Sequence, residues 1–169
     1  MHFRRGARRL PHRKLGGPRR PGGRRWLPRV LKWMLFGLVA LIMAQPLGDI
    51  VNGYLTPHDG CRVIGIVDGD TIRMICPESG YRTGRLLGFD TPELRAACLS
   101  EAVQAQAATL YLRRLLWQAR HVSALVEGED RYGRALVLLR ADGQGVAGPM
   151  VEAGLARRYD GGPRAGWCD

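Results

Sequence analysis

Val67-Asp68-Gly69-Asp70-Thr71 joins two short apolar stretches, residues 62–67 and 71–75, that are rich in Ile and Val. Runs of this kind bounded by turn residues read as strands. Asp-Gly supplies the positive φ angles of a tight two-residue turn, so the segment predicts a β-hairpin. Glu78-Ser79-Gly80 marks the next turn and residues 81–89 a third strand, giving an antiparallel meander. Asp90-Thr91-Pro92-Glu93 follows at its far end. Pro92 has no N–H for a ladder, which ends the strand and leaves a loop free to coordinate.

Further along, residues 99–119 contain no Gly or Pro, and Val103, Ala107, Leu110, Leu115 and Leu116 recur at roughly helical spacing. Residues 121–126 and 135–140 read as two more strands, Asp142-Gly143 as a turn, and residues 149–157 as a short helix. Gly161-Gly162-Pro163 breaks regular structure beyond it. Three strands, a helix, two strands and a helix predict an α+β domain that is mainly β. The expected form is a five-stranded OB-fold barrel with two helices, over residues 61–169.

The charge lies almost entirely ahead of this domain. Residues 1–48 hold ten Arg and two Lys with no Asp or Glu, so +12 of the formal net +11 sits there and the remainder carries −1. The high isoelectric point therefore belongs to the leader, and nucleic-acid contact must be argued from individual arginines. Residues 1–29 mix Arg, Gly and Pro and are expected to be a disordered basic tail. Residues 33–44 form an unbroken apolar run that extends over residues 30–48 if Lys32 and Gln45 are admitted. That is a membrane anchor or a signal segment. Ile42 falls where a cleavage site wants a small residue, which favours the uncleaved anchor. Positive charge upstream keeps the N-terminus in the cytoplasm and sends the domain to the exported side, secreted or periplasmic if cleaved. Residues 49–60 are expected as a linker.

Asp70, Asp90 and Glu93 gather carboxylates at strand ends, as a site for a hard cation requires. Arg85 and Arg134 add two cations suited to a developing phosphate charge, so the pattern reads as phosphodiester chemistry. No histidine stands in a nucleophile triad pattern and no G-x-x-x-x-G-K loop occurs, which sets aside acyl transfer and P-loop chemistry. Tyr132 is expected in the core. Cys61, Cys76, Cys98 and Cys168 all follow the apolar run, and an even number on an exported domain favours disulfides. If Asp68-Gly69 is a two-residue loop, Val67 faces Asp70 and Cys61 faces Cys76, which leaves Cys98 for Cys168.

Taken in order, Val67-Asp68-Gly69-Asp70-Thr71, Arg85-Leu86-Leu87, Asp90-Thr91-Pro92-Glu93, Arg131-Tyr132-Gly133-Arg134 and Gly154-Leu155-Ala156 resemble the staphylococcal nuclease (thermonuclease) family over about residues 61–160. The resemblance implies an OB-fold barrel that hydrolyses DNA and/or RNA with one calcium ion and leaves 3′-phosphate ends. It implies Asp70, Asp90 and the Thr91 carbonyl as metal ligands, Glu93 as general base, and Arg85 and Arg134 as the catalytic arginines. Arg131 and Tyr159 would contact the nucleotide. The basic loop that the family carries after Glu93 is shortened here to residues 94–100, and its C-terminal helix has no counterpart in residues 160–169. Partners are then nucleic acid as substrate and the membrane through residues 30–48, with the chain a monomer. The rival reading is an OB-fold module that binds nucleic acid or protein without cutting.

Overall fold

The computed structural model describes residues 28–168, so nearly all of the expected basic tail lies outside the described residues. Three helices and nine strands are assigned among them: α1 (Arg29–Leu55), β1 (His58–Gly60), β2 (Arg62–Ile66), β3 (Thr71–Cys76), β4 (Gly80–Leu86), β5 (Gly88–Asp90), α2 (Leu99–Gln118), β6 (Val122–Glu129), β7 (Ala135–Ala141), β8 (Gln144–Gly145), α3 (Ala147–Glu152) and β9 (Arg157–Tyr159).

The sheet path runs β1-β6-β7-β4-β3-β2, with β8 added to β7 and a separate β5–β9 pair. The two ends of that path, β1 and β2, are consecutive in the chain and part only at Cys61, whose N–H still bonds the Ala124 carbonyl of β6 at 2.9 Å. One bent stretch thus pairs with β6 at its start and β3 at its end, which curls the sheet into an OB-type barrel. Gly60 makes the bend at φ 71°, and a Cβ there would strike the Ala124 carbonyl oxygen. The pairings are antiparallel except for β1–β6 and β4–β7. Ile72, Met74, Leu86, Phe89, Leu112, Val137 and Met150 fill the core.

The hairpin differs from its expectation. Val67 and Asp68 both donate N–H bonds to the Thr71 carbonyl, at 2.9 and 3.3 Å, so the loop is Asp68-Gly69-Asp70 rather than two residues. This shifts Ile66 opposite Ile72, and a bulge between Val63 and Gly65 shifts the ladder back, so that Arg62 faces Ile75. Cys61 therefore still meets Cys76, and the disulfides are Cys61–Cys76 and Cys98–Cys168, with Cα separations of 4.2 and 6.0 Å. The tight Asp-Gly hairpin turn occurs instead at Asp142-Gly143, where φ is 51° and 81° between the paired residues Ala141 and Gln144.

Three further expectations are corrected. Residues 49–60 are not an irregular linker, because α1 continues to Leu55 and β1 begins at His58. The second barrel helix is the shorter, earlier Ala147–Glu152, since Gly154 at φ 70° terminates the turn. The face of α2 that packs inward carries Ala105, Ala108, Thr109, Leu112, Arg113 and Leu116, whereas Val103 and Leu110 point outward.

Asp49 explains why α1 runs into the domain. Its buried carboxylate accepts from Arg113 Nε at 2.9 Å and Nη2 at 3.1 Å, from Trp117 Nε1 at 3.0 Å and from the Ile66 N–H at 3.2 Å. Gln45 Oε1 accepts from Arg113 Nη1 at 2.9 Å. The end of α1 is thus bound to α2 and β2, while its apolar residues from Val30 to Met43 stand exposed. The helix is long and apolar enough to cross a membrane, at about 40 Å for 27 residues.

Candidate active site

Strand ends from the two halves of the barrel meet on one open groove. Thr71 begins β3, Arg85 lies near the end of β4, Asp90 ends β5, and the β6–β7 turn brings Asp130, Arg131, Tyr132 and Arg134 beside them. The parallel β4–β7 register, Arg85 opposite Leu136, places that turn next to Arg85. Gly69 makes the carboxylate end of the groove possible: a Cβ there would lie 2.8 Å from both the Ala108 Cβ and Thr91 Oγ1. The Asp68–Asp70 loop can therefore press onto α2 and onto the loop after Asp90.

Asp70 and Asp90 are 4 % and 5 % exposed and share one guanidinium. Arg85 forks onto Asp70, Nη1 to Oδ1 at 3.0 Å and Nη2 to Oδ2 at 2.9 Å, while Nη2 also lies 3.0 Å from Asp90 Oδ1. Thr71 donates its hydroxyl to Asp70 Oδ1 at 3.0 Å. Burial pushes the Asp70 carboxyl up to about 6 despite the pull of Arg85, with Asp68 and Asp90 adding to the rise. Thr91 is buried directly after Asp90, and Glu93 stands at the rim with 62 % of its side chain exposed.

Arg134 is fixed by its own turn. Its Nε bonds Asp130 Oδ2 at 2.7 Å, and Asp130 Oδ1 accepts the N–H groups of Tyr132 and Arg134, each at 2.9 Å. Desolvation opposes these bonds, yet together with the Arg134 charge they hold the Asp130 carboxyl below the usual range. Tyr132 is not a core residue. It is 69 % exposed, with the Arg131 and Arg134 guanidinium groups 4.8 and 5.7 Å from its ring centre. Gly133 at φ 76° closes the turn, its N–H bonded to the Asp130 carbonyl at 3.0 Å. Tyr159 also lines the groove.

Arg85, Glu93, Arg131, Arg134 and Tyr159 thus line one groove, and Asp70, Asp90 and Thr91 lie beneath it. Sequence reasoning missed Asp130, although an Asp opening a Gly-containing turn is a readable sign of a side chain bonded to the backbone two residues on. It also missed Arg164, which pairs with Asp90 Oδ1 at 3.2 Å and Glu93 Oε1 at 2.6 Å. Burial favours the neutral form of Arg164, but Asp90, Asp70 and Glu93 together raise its affinity for the proton. Paired buried oxygens without His or Cys suit a hard dication such as calcium. Cys98, Glu101 and Cys168 also cluster, but both sulfurs are in a disulfide and Glu101 accepts the Ala97 N–H at 2.7 Å, so that group ties the start of α2 to the chain around it.

Residues 83–165 match the family described as staphylococcal nuclease homologues. The match starts within β4 and ends just past Arg164, so it takes in Arg85, Asp90, Glu93, Arg164 and the whole β6–β7 turn with Arg131 and Arg134. With the curled OB-type sheet that carries them, this establishes that the chain carries a domain of the staphylococcal nuclease family.

Proposed function

We propose that this chain is a calcium-dependent nuclease that hydrolyses phosphodiester bonds of DNA and/or RNA, held at a membrane by α1 with its domain on the exported side. One observation carries the reading: two buried aspartates, an exposed glutamate and two separately anchored arginines converge on a single groove in a domain of a nuclease family. Asp70, Asp90 and the Thr91 carbonyl would hold the calcium ion, which when bound supplies positive charge against a phosphate oxygen.

The remaining work falls to the chain's own side chains. Glu93 accepts the proton of a water that attacks phosphorus in line, and the bond from phosphorus to the 5′ oxygen breaks. Arg85 turns its fork from the aspartates to the phosphate, and Arg134, aimed by Asp130, donates to a second oxygen. Arg131 fixes the neighbouring backbone, while Tyr159 offers an aromatic face to a base.

The test is digestion of denatured DNA and of RNA by the full chain in detergent, with calcium and with chelator. Cleavage that requires calcium and disappears in Glu93→Gln supports the reading. Binding without cleavage would select the non-catalytic module, and cleavage restored best by zinc would overturn the metal assignment.

A further inference from the structure

Residues 160–168 have no regular structure, yet they are fastened along their whole length. Tyr159 Oη donates to the Gly162 carbonyl at 2.7 Å, and Arg157 Nη1 donates to the Gly166 carbonyl at 2.8 Å. The same Arg157 lies 3.9 Å from the ring centre of Trp167, which is 8 % exposed and turns its Nε1 toward Asp90 Oδ2 at 3.5 Å. Cys168 is then locked to Cys98 at the start of α2. These contacts form a strap, and Arg164 is the side chain it delivers to the groove, one third exposed beside Glu93 and Asp90.

An exposed carboxylate holds an arginine only weakly in water. Glu93 is such a partner at Nη1, while the buried Asp90 holds the Nε side of the same guanidinium, so a phosphate diester entering the groove competes with Glu93 for the outer face of the fork with comparable charge and better fork geometry. Arg164 also lies 5.9 Å from the Tyr159 ring centre, so the strap pairs a cation with an aromatic face, the combination that grips single strands.

We propose that Arg164 is a phosphate-binding residue of this groove, presented by the disulfide-tethered strap, and that its ligand is the backbone of single-stranded nucleic acid. The ligand class rests on the nuclease reading above, whereas the contact itself is measurable without cleavage. Cys98, Cys168 and Trp167 are then positioning residues. The strap would do here what a longer basic loop after Glu93 would otherwise do.

The experiment is anisotropy of a short fluorescein-labelled oligothymidylate with the full chain in detergent and chelator, across a salt series. Arg164→Ala should weaken binding about tenfold, as for loss of a charge-assisted hydrogen bond. It should also lower the slope of log K against log salt by about 0.7, as for one lost phosphate contact on a single strand. Arg164→Lys should keep the slope. Cys98→Ser with Cys168→Ser should reproduce the loss, and adding Arg164→Ala should then change little. Should the double serine variant fail to fold by circular dichroism, Arg164→Ala and Arg164→Lys decide alone. Unchanged affinity and slope, or tighter binding in Arg164→Ala, would overturn the proposal. A wild type that cuts with calcium while Arg164→Ala binds normally refutes only this role. A wild type that never cuts but loses binding in Arg164→Ala refutes only the nuclease reading.

Discussion

At the scale of single residues, Asp70 carries two opposed demands. Burial raises its pKa from 3.8 to about 6. The folded chain therefore keeps a proton there over a range in which the unfolded chain has released it. The stabilisation is complete below pH 3.8 and is lost as pH rises through about 6, so above that range the ionised Asp70 weighs against folding. Asp70→Asn is expected to raise the melting temperature by a few degrees near pH 7.5, with the gain vanishing near pH 4, while calcium binding is lost. Calorimetric calcium titration of the wild type should show weaker binding and proton release below about pH 6. The proposed catalytic roles are tested separately: Glu93→Gln, Arg85→Ala and Arg134→Ala should each lower kcat roughly a hundredfold or more with the circular dichroism unchanged. Near-normal turnover in any of the three removes that residue from the mechanism. Charge type and order in the chain singled out Asp70, Asp90, Glu93, Arg85 and Arg134, and the fold brings them to or beneath one groove. Arg164 had no such signal, because it sits in a Gly- and Pro-rich segment with no period to read, and only the disulfide and the Trp167 stack bring it to the groove.

At the scale of elements, strand pairing was legible further than its premises deserved. A three-residue loop and a bulge each shift the β2–β3 ladder by one, and the two shifts cancel before Cys61. The sequence of α2 was harder to orient, because its inward face uses the small Ala105 and Ala108, the latter admitting the Asp68–Asp70 loop. Close approach favours small residues that a search for large apolar ones passes over. Asp49 is the first carboxylate in the chain, and its solitude on an apolar helix was the available sign that 49–55 is docked rather than a linker. The buried pair it forms with Arg113 makes a sharp prediction. Arg113→Met leaves Asp49 uncompensated and should destabilise the domain by roughly 3 to 5 kcal/mol in urea unfolding. Arg113→Met with Asp49→Leu should recover much of that, since replacing both charges removes the orphan. A double variant no better than the single would show that the pair's other bonds, to Trp117 and the Ile66 N–H, outweigh the charge itself.

At the scale of the whole molecule, α1 is both a membrane-length helix and a structural part of the domain, because Gln45, Asp49 and Asn52 bond to α2. Cleavage after Ala44 would leave those three contacts intact, so anchored and released forms should share one fold and one activity. In the proposed topology the twelve positive charges ahead of the apolar run would hold the N-terminus in the cytoplasm and send residues 50–169 to the opposite side. Disulfides persist on that side and are reduced in the cytosol, so topology and cysteine pairing make the same demand from independent physics. The Cys98–Cys168 bridge spans 70 residues and fastens the strap that has no helix of its own. Loop-closure entropy assigns such a bridge roughly 3 to 5 kcal/mol, so reduction should lower the melting temperature markedly and release the strap before the barrel opens. An alkaline phosphatase fused after Asp169 should be active only on the exported side. Non-reducing peptide mapping of chain recovered there should give Cys61–Cys76 and Cys98–Cys168 peptides, with N-terminal sequencing at Met1 for an anchor and at Gln45 for a cleaved signal. Phosphatase activity confined to extracytoplasmic space together with four free thiols would break the link between export and the strap. A fusion inactive there, in a chain that still carries both bridges, would instead reverse the orientation of α1.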